Sequence, residues 1–428
     1  MHLEKPKLFP EKKGFLVVMG ILFFILCIRL YMEYQSYQNF ITKPFYYTYA
    51  NVLHTYEKTK GNKRYQILKL RSDEGLVFYT TYFGNDTLNH KRLRVQLFPN
   101  TDITFQEYLG TFYVKSRIKD ILVLPVTLKD KLLEKVTSQH TNMSMQSFYN
   151  AIFFAAPVEK YLRKKISLLG VSHLIALSGF HLGILWGLVY GLLYLLYKPL
   201  QQKYFPYRHA LFDVGLVAML SLGIYLWFVD FPPSLVRSYA MVLVGWIVLL
   251  LGMELLSFML LTTIIVALLA LAPSLLFSLS FWLSVAGVFY IFLLLHYTQQ
   301  YSTWFISFIF IPLGIFIFML PIVHYIFGVT TVYQLLSPLL SILFIPFYPL
   351  VIVLHLLGLG DVFDPLLLWL FSLPMESKDN LLPLWIMVLY VMLSLGAIWS
   401  KKIFFITLGL AMLYMLYLFM PIEQITKL

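Results

Sequence analysis

Cysteine is nearly missing from this chain. Cys27 is the only one in 428 residues, so neither an intrachain disulfide nor a cysteine-based zinc centre can form. Charge is scarce as well. Asp, Glu, Lys and Arg together make up 13% of the residues, against about 25% in ordinary soluble domains, which excludes a conventional water-soluble globule. There is no G-x-x-x-x-G-K-[ST] loop, so ATP hydrolysis of the P-loop kind is not expected. No H-x-H-x-D-H or H-E-x-x-H cluster occurs either, which leaves a hydrolytic metal centre unsupported. No cofactor and no enzymatic activity are therefore expected. Neither an internal repeat nor a low-complexity tract stands out.

What fills the chain is apolar: 59% of it is hydrophobic. Runs on the scale of a membrane span, about 18 residues, include Phe15 to Leu30, Ala210 to Val229, Leu235 to Leu251, Leu255 to Leu271, Trp304 to Leu320, Leu381 to Trp399 and Ile403 to Met420. The fold class is a polytopic α-helical membrane protein with a small external β domain inserted after the first helix. Residues 1–32 read as a retained N-terminal anchor, because the first run is long and lacks a small-x-small cleavage site. Lys5, Lys7, Lys12 and Lys13 put its leading end in the cytoplasm and the following segment outside.

Residues 33–165 are the one extended polar region, with 20 Lys+Arg against 11 Asp+Glu. Long translocated domains escape the positive-inside rule, so this basic excess is compatible with an external position. Alternation of apolar and polar residues predicts strands over Tyr65–Leu70, Leu76–Phe83, Lys91–Phe98 and Thr111–Arg117. They are separated by the turn signals Gly61-Asn62, Gly84-Asn85-Asp86 and Pro99-Asn100-Thr101-Asp102. A small barrel or sandwich over 33–125 follows, and then an amphipathic helical linker over 126–169. Lys69, Arg71, Lys91, Arg92 and Arg94 lie on or beside these strands among Tyr79, Tyr82 and Phe83. Such mixing suits a single-stranded nucleic acid, whose bases stack on rings while its phosphates meet cations; a basic solvated face over a small core is the alternative.

The remaining residues, 170–428, form a membrane domain. Lys198, Lys203 and Arg208 make one basic loop that suits the cytoplasmic side. The stretch 361–374 is short for a span, so it either crosses or re-enters. Within the apolar sequence, Val171-Ser172-His173-Leu174-Ile175-Ala176-Leu177-Ser178-Gly179-Phe180-His181 places costly polar groups at membrane depth. In a straight helix His173 and His181 would stand about 12 Å apart, so they cannot share one ligand unless the helix breaks. Ser178-Gly179 is the expected break. The segment then either lines a pore or packs inside the bundle with its histidines bonded to neighbours. Arg237, about one turn after Pro232-Pro233, either contacts phosphate, or snorkels to the interface or pairs with Asp230. Ser278, Ser280 and Ser284 place small hydroxyls in an aromatic-rich span, and Pro312, Pro321, Pro338, Pro346 and Pro349 mark expected kinks.

At these residues the chain resembles the ComEC family of bacterial competence proteins. Gly170 to Gly183 looks like that family's G-x-x-H-L-L-A-[IV]-S-G-[LM]-H-[VI]-G signature. Pro233-Ser234-Leu235-Val236-Arg237-Ser238 is similar to its P-S-V-x-R-A segment, and Phe277-Ser278-Leu279-Ser280-Phe281 to its F-Q-L-S-F, with Ser278 in place of Gln. The resemblance implies an OB-like domain followed by a channel that passes one DNA strand into the cytoplasm. His173, Ser178, Gly179, His181, Ser280 and Ser284 would line it, and Arg237 with the basic strand residues would contact DNA. Implied partners are single-stranded DNA, membrane lipid, an external DNA-binding competence protein, a separate cytoplasmic ATP-driven motor and a second copy of the chain. Many members add a C-terminal metallo-β-lactamase-like domain; with the sequence ending at Leu428, none is expected here. Two other readings compete: an intramembrane enzyme using His173, Ser178 and His181, and a small-solute transporter.

Overall fold

The computed structural model describes residues 6–60, 63–84, 86, 88 and 91–420, which divide into two units. One comprises Phe9–Leu128 with Leu261–Trp282; the other comprises Lys129–Leu260 and Leu283–Leu428, with the N-terminal residues before Phe9.

In the first unit a helix of 30 residues, Lys12–Ile41, leads into six strands: β1 (Tyr46–Lys60), β2 (Lys63–Ser72), β3 (Val77–Tyr82), β4 (Lys91–Phe98), β5 (Phe112–Tyr113) and β6 (Lys115–Val123). The sheet order is β5-β3-β2-β1-β4-β6. Only Val114 separates β5 from β6, so one interrupted strand pairs in parallel with β3 and antiparallel with β4. That double pairing rolls the sheet into a five-stranded barrel, and Thr80 on β3 meets the Ser116 hydroxyl on β6 at 2.7 Å. Leu68, Leu70, Phe78, Leu93, Val95 and Leu97 fill the interior, each contributing about 1.5–3 kcal/mol by leaving water. Tyr37 and Phe40 of the long helix plug one end against Tyr108 and Phe112, and the Tyr37 hydroxyl donates to the Ile103 carbonyl at 2.7 Å.

β4 coincides with the strand expected there, and β2 and β3 lie within about two residues of theirs. β1, the strand between β2 and β4, carries no expectation from the sequence. The Pro99–Asp102 turn forms, with the Asn100 amide donating to Asp102 at 2.7 Å. Gly61-Asn62 and Asn85 lie outside the described residues.

The second unit is helical. Across the described residues, eight helices are long and apolar enough to cross a membrane: Lys12–Ile41, Gly179–Tyr204, Ala210–Phe228, Pro233–Leu250, Leu279–Thr298, Thr303–Ile326, Val332–Leu356 and Lys401–Phe419. This is a multi-pass membrane protein. Two expected spans are shorter as helices, Phe258–Leu271 with 14 residues and Leu384–Gly396 with 13. The 361–374 stretch forms a helix of only 9 residues, Asp364–Ser372, about 14 Å long and under half of a bilayer core. Pro338 sits in the first turn of the Ser337–Leu356 helix, where proline costs little, and Pro312 follows a wide turn over Ile306–Phe310 inside Thr303–Ile326, whereas Pro321, Pro346 and Pro349 lie further inside helices.

Residues 126–169 contribute more than a linker. The helix Met143–Phe154 buries eight side chains, among them Phe148, Tyr149 and Phe153, in a core shared with Phe344, Tyr348 and Val351.

Candidate functional site

The helix is interrupted at Ser178. Ser172–Ile175 forms one turn, Ala176–Ser178 is extended, and a 26-residue helix starts at Gly179. An interrupted segment at membrane depth frees carbonyls that water cannot reach, and each must find a donor. Here hydroxyls supply them. Thr331 donates to the Leu168 carbonyl, Ser337 to Gly170 at 3.1 Å, Ser178 to His173 at 3.4 Å and Ser234 to Leu177 at 2.7 Å. Gly170 adopts φ of 69°, a left-handed conformation that glycine takes without strain. At Gly179 a Cβ would stand 3.1 Å from the Ser238 hydroxyl, so a missing side chain lets the Pro233–Leu250 helix close on the break.

Both histidines of the segment face the Ser337–Leu356 helix. The Ser341 hydroxyl donates to the Ser337 carbonyl at 2.8 Å, so its oxygen is left to accept from His173 Nε2 at 3.1 Å. His173 is exposed. His181 is fully buried and meets Phe344 and Tyr348 edge to face, with centroids 5.2 and 5.0 Å away. Its Nδ1 lies 3.4 Å from the Ser178 amide, and its Nε2 points among these rings. An N–H aimed among aromatic rings obtains a weak bond from their faces. Positions 341, 344 and 348 are spaced to share one helix face, so one stripe holds both imidazoles.

Ser178 Oγ lies 3.4 Å from His181 Nδ1. That length makes a weak bond, and the same nitrogen already serves a backbone amide. The pair therefore lacks the geometry of an activated nucleophile.

Arg237 is buried one turn into the Pro233–Leu250 helix, which begins with Pro233 as expected. It follows two non-glycine residues in the left-handed region, Asp230 at φ 65° and Phe231 at φ 51°. Such strain persists only where the surroundings hold it. Asp230 takes a hydrogen bond from Lys129 Nζ at 2.6 Å. Ser234 and Ser238, on the same helix as Arg237, face the break, so the sequence elements around His173, Ser178, Gly179, His181 and Arg237 do meet. Ser284 is half-buried and is not one of the hydroxyls that hold the break, while Ser280 is exposed and belongs to the other unit. Ser278 accepts from the Phe281 amide at 3.4 Å and so starts the Leu279–Thr298 helix.

On the barrel, strand register decides which cations share a face. Lys69 pairs with Tyr79, Arg71 with both Val77 and Asn51, Asn51 with Arg92, and Arg94 with Tyr49. Directly opposed residues point the same way, so Lys69, Arg71, Arg92 and Arg94 lie on the outer face with Tyr47, Tyr49 and Tyr79. Lys69 stands 5.6 Å from the Tyr79 ring and Arg92 5.2 Å from that of Tyr49; Arg92 also bonds Asp73. Lys91 has the opposite parity, that of Leu93, Val95 and Leu97, and does not join them.

A 670 Å³ cavity lies elsewhere, between Pro321, Tyr390, Tyr414 and Tyr417. A cluster that sequence reasoning missed is also separate: His140, His355 and Asp364 meet in the interior, with His140 more than 200 positions from the other two.

Residues 156–424 match the model of a family described as Competence protein. The chain belongs to the competence protein family. The match begins within the helical region before the break and covers every element that holds it. No curated protein and no solved structure was found to match. Membership connects this competence protein with DNA uptake in transformation.

Proposed function

We propose that this competence protein passes single-stranded DNA across the bacterial cytoplasmic membrane. The carrying observation is the family match over residues 156–424; the barrel face and the interrupted helix agree with it. With the N-terminus in the cytoplasm, the barrel stands outside, where Lys69, Arg71, Arg92 and Arg94 meet phosphates and Tyr47, Tyr49 and Tyr79 offer surfaces for bases. The strand then passes the break, near the buried guanidinium of Arg237, which can hold a phosphate through two parallel bonds. An external DNA-binding competence protein delivers the DNA, a separate ATP-driven motor pulls it, and a second copy of the chain is a further partner.

The test is uptake of labelled DNA by competent cells carrying Arg237→Ala, or Arg71→Glu with Arg94→Glu, with membrane abundance of each variant measured alongside. The expected result is loss of uptake at normal abundance. Parental uptake in both would remove the assignment. A small-solute transporter would leave transformation intact when the chain is deleted.

A further inference from the structure

Three ionisable side chains that take no part in the break come together in the interior. His140 follows the helix Leu128–Thr137, His355 closes the helix Ser337–Leu356, and Asp364 opens the helix Asp364–Ser372. His140 Nδ1 lies 2.9 and 3.1 Å from the two Asp364 oxygens. His140 Nε2 lies 3.0 Å from His355 Nε2, and His355 Nδ1 lies 2.6 Å from the Val351 carbonyl oxygen. All three residues are buried.

Counting protons shows what this set of bonds requires. A carbonyl oxygen only accepts, so His355 Nδ1 carries a hydrogen. Two imidazole nitrogens 3.0 Å apart need one proton between them, since otherwise lone pair faces lone pair. The pairing of His140 with Asp364 needs a third, whether it rests on the ring or on the carboxyl. Two neutral imidazoles and a carboxylate supply only two. The satisfied network therefore binds one proton more, and with it the cluster carries no net charge. It can be drawn as a carboxylate beside an imidazolium or as a carboxylic acid beside two neutral rings; the count is the same. Losing that proton leaves a buried negative charge and an unmade bond, which is costly in a low-dielectric interior.

The described surroundings add aromatic and acidic groups. Tyr149 stacks on His140 at 4.4 Å and 7° and sits 4.6 Å from His355, and its buried hydroxyl has no hydrogen-bond partner among the described residues. From the turn Gly360–Phe363, Asp361 adds a second negative charge towards Asp364. Among the described residues no lysine or arginine forms an ion pair with either aspartate. Gln139 fixes the frame by accepting from the Gly360 amide at 2.9 Å and donating to the His355 carbonyl at 3.1 Å. Among the described residues no three His, Cys, Asp or Glu side chains, His140, His355 and Asp364 included, are arranged to hold one metal ion.

We propose that Asp364, His140 and His355 form a buried proton-binding site, a hydrogen-bonded relay that holds one exchangeable proton. Through it the end of the Ser337–Leu356 helix is joined to the 126–169 region and to the short helix at Asp364. The same helix presents Ser341, Phe344 and Tyr348 to the break, so proton loss at one end acts on an element that supports the other.

The test uses the full chain in lipid nanodiscs with nitrogen-15 histidine and needs no DNA, so it stands apart from the transport reading. A proton shared by two imidazoles gives a through-hydrogen-bond nitrogen–nitrogen coupling, whichever way the network is drawn. That coupling is expected near neutral pH and is expected to vanish as the pH is raised. Asp364→Asn should keep the coupling at alkaline pH, because its amide N–H can donate to His140 Nδ1 and leave the Nε2 proton between two neutral rings. Tyr149→Phe should leave it in place. Should Asp364→Asn not fold, the pH dependence of the parent and the Tyr149→Phe control still decide the matter. No coupling in the parent anywhere from about pH 5 to about pH 9, the range in which imidazoles titrate, overturns the proposal. Coupling that vanishes on alkalinisation in Asp364→Asn just as in the parent also overturns it. So does a parent with no coupling whose imidazole resonances shift on adding zinc chloride, which would make the pair a metal site.

Discussion

The break at Ser178 and the relay at Asp364 lean on one face of the same helix, yet they meet the cost of buried polar atoms in opposite ways. At the break the freed carbonyls are met by neutral hydroxyls, from Thr331, Ser337, Ser178 and Ser234. At the relay a carboxyl and two imidazoles share a proton count that solution conditions can change. The hydroxyl-to-carbonyl bonds of the first do not themselves titrate. The second holds three distant segments together only while it is fully protonated. A membrane protein can thus keep a rigid interruption and a titratable junction within a few turns of each other.

The largest predicted effects test this contrast directly. Asp364→Ala removes one partner of a buried ionisable set and should cost about 3–5 kcal/mol, read as a fall in the thermal midpoint of the purified chain. Ser234→Ala leaves the Leu177 carbonyl unmet and should cost about 1–3 kcal/mol. The two should also differ in pH response. Burial raises the Asp364 pKa above the ordinary carboxylate value, the hydrogen bond from His140 works against that rise, and Asp361 adds to it. A carboxyl whose folded pKa is raised binds its proton more tightly when folded. Its contribution is complete below the unfolded pKa and is lost as pH climbs through the folded one. The parent and Ser234→Ala should therefore lose stability together on alkalinisation, keeping a constant gap. The gap between the parent and Asp364→Ala should narrow as pH rises. A constant gap for both would erase the distinction.

How much of this was legible beforehand follows from the residues. β4 could be read because Leu93, Val95 and Leu97 alternate with basic residues, and the break because Ser178-Gly179 interrupts an otherwise apolar helix. β1 escaped because its outward positions include Tyr47, Tyr49 and Leu53, all exposed, which flattens the alternation a strand is recognised by. The relay escaped for a different reason. His140, His355 and Asp364 each sit alone in their local sequence, and only the tertiary fold brings them within 3.1 Å. The one local hint was His355, an ionisable group inside a long apolar helix, where polar residues carry a functional presumption. The cations of the barrel were visible, but register was needed to separate Lys91 from the others.

A smaller effect sharpens the account of the break itself. Gly179→Ala places a methyl group 3.1 Å from the Ser238 hydroxyl and 3.3 Å from its Cβ. The overlap is modest and should cost about 1 kcal/mol, the low end for overpacking. If close approach is the reason for the glycine, Gly179→Ala and Ser238→Ala should be non-additive, since residues that touch couple. Thermal midpoints of the two single variants and the double variant would show it. Simple addition would mean that Gly179 serves the start of its own helix instead.

The smallest effect lies at the barrel and asks whether surface cations behave as the outer face implies. For a single strand, each phosphate left without its cation lowers the dependence of log affinity on log salt by about 0.7. Arg94→Ala, at an exposed position opposite Tyr49, should flatten that slope by about this amount when the full chain binds labelled single-stranded DNA. Lys91→Ala, on the alternate parity with the barrel-filling leucines, should change it less. Equal slopes for the two variants would mean that the DNA does not follow the face on which Lys69, Arg71, Arg92 and Arg94 are gathered, because a strand tracking that face meets Arg94 and bypasses Lys91.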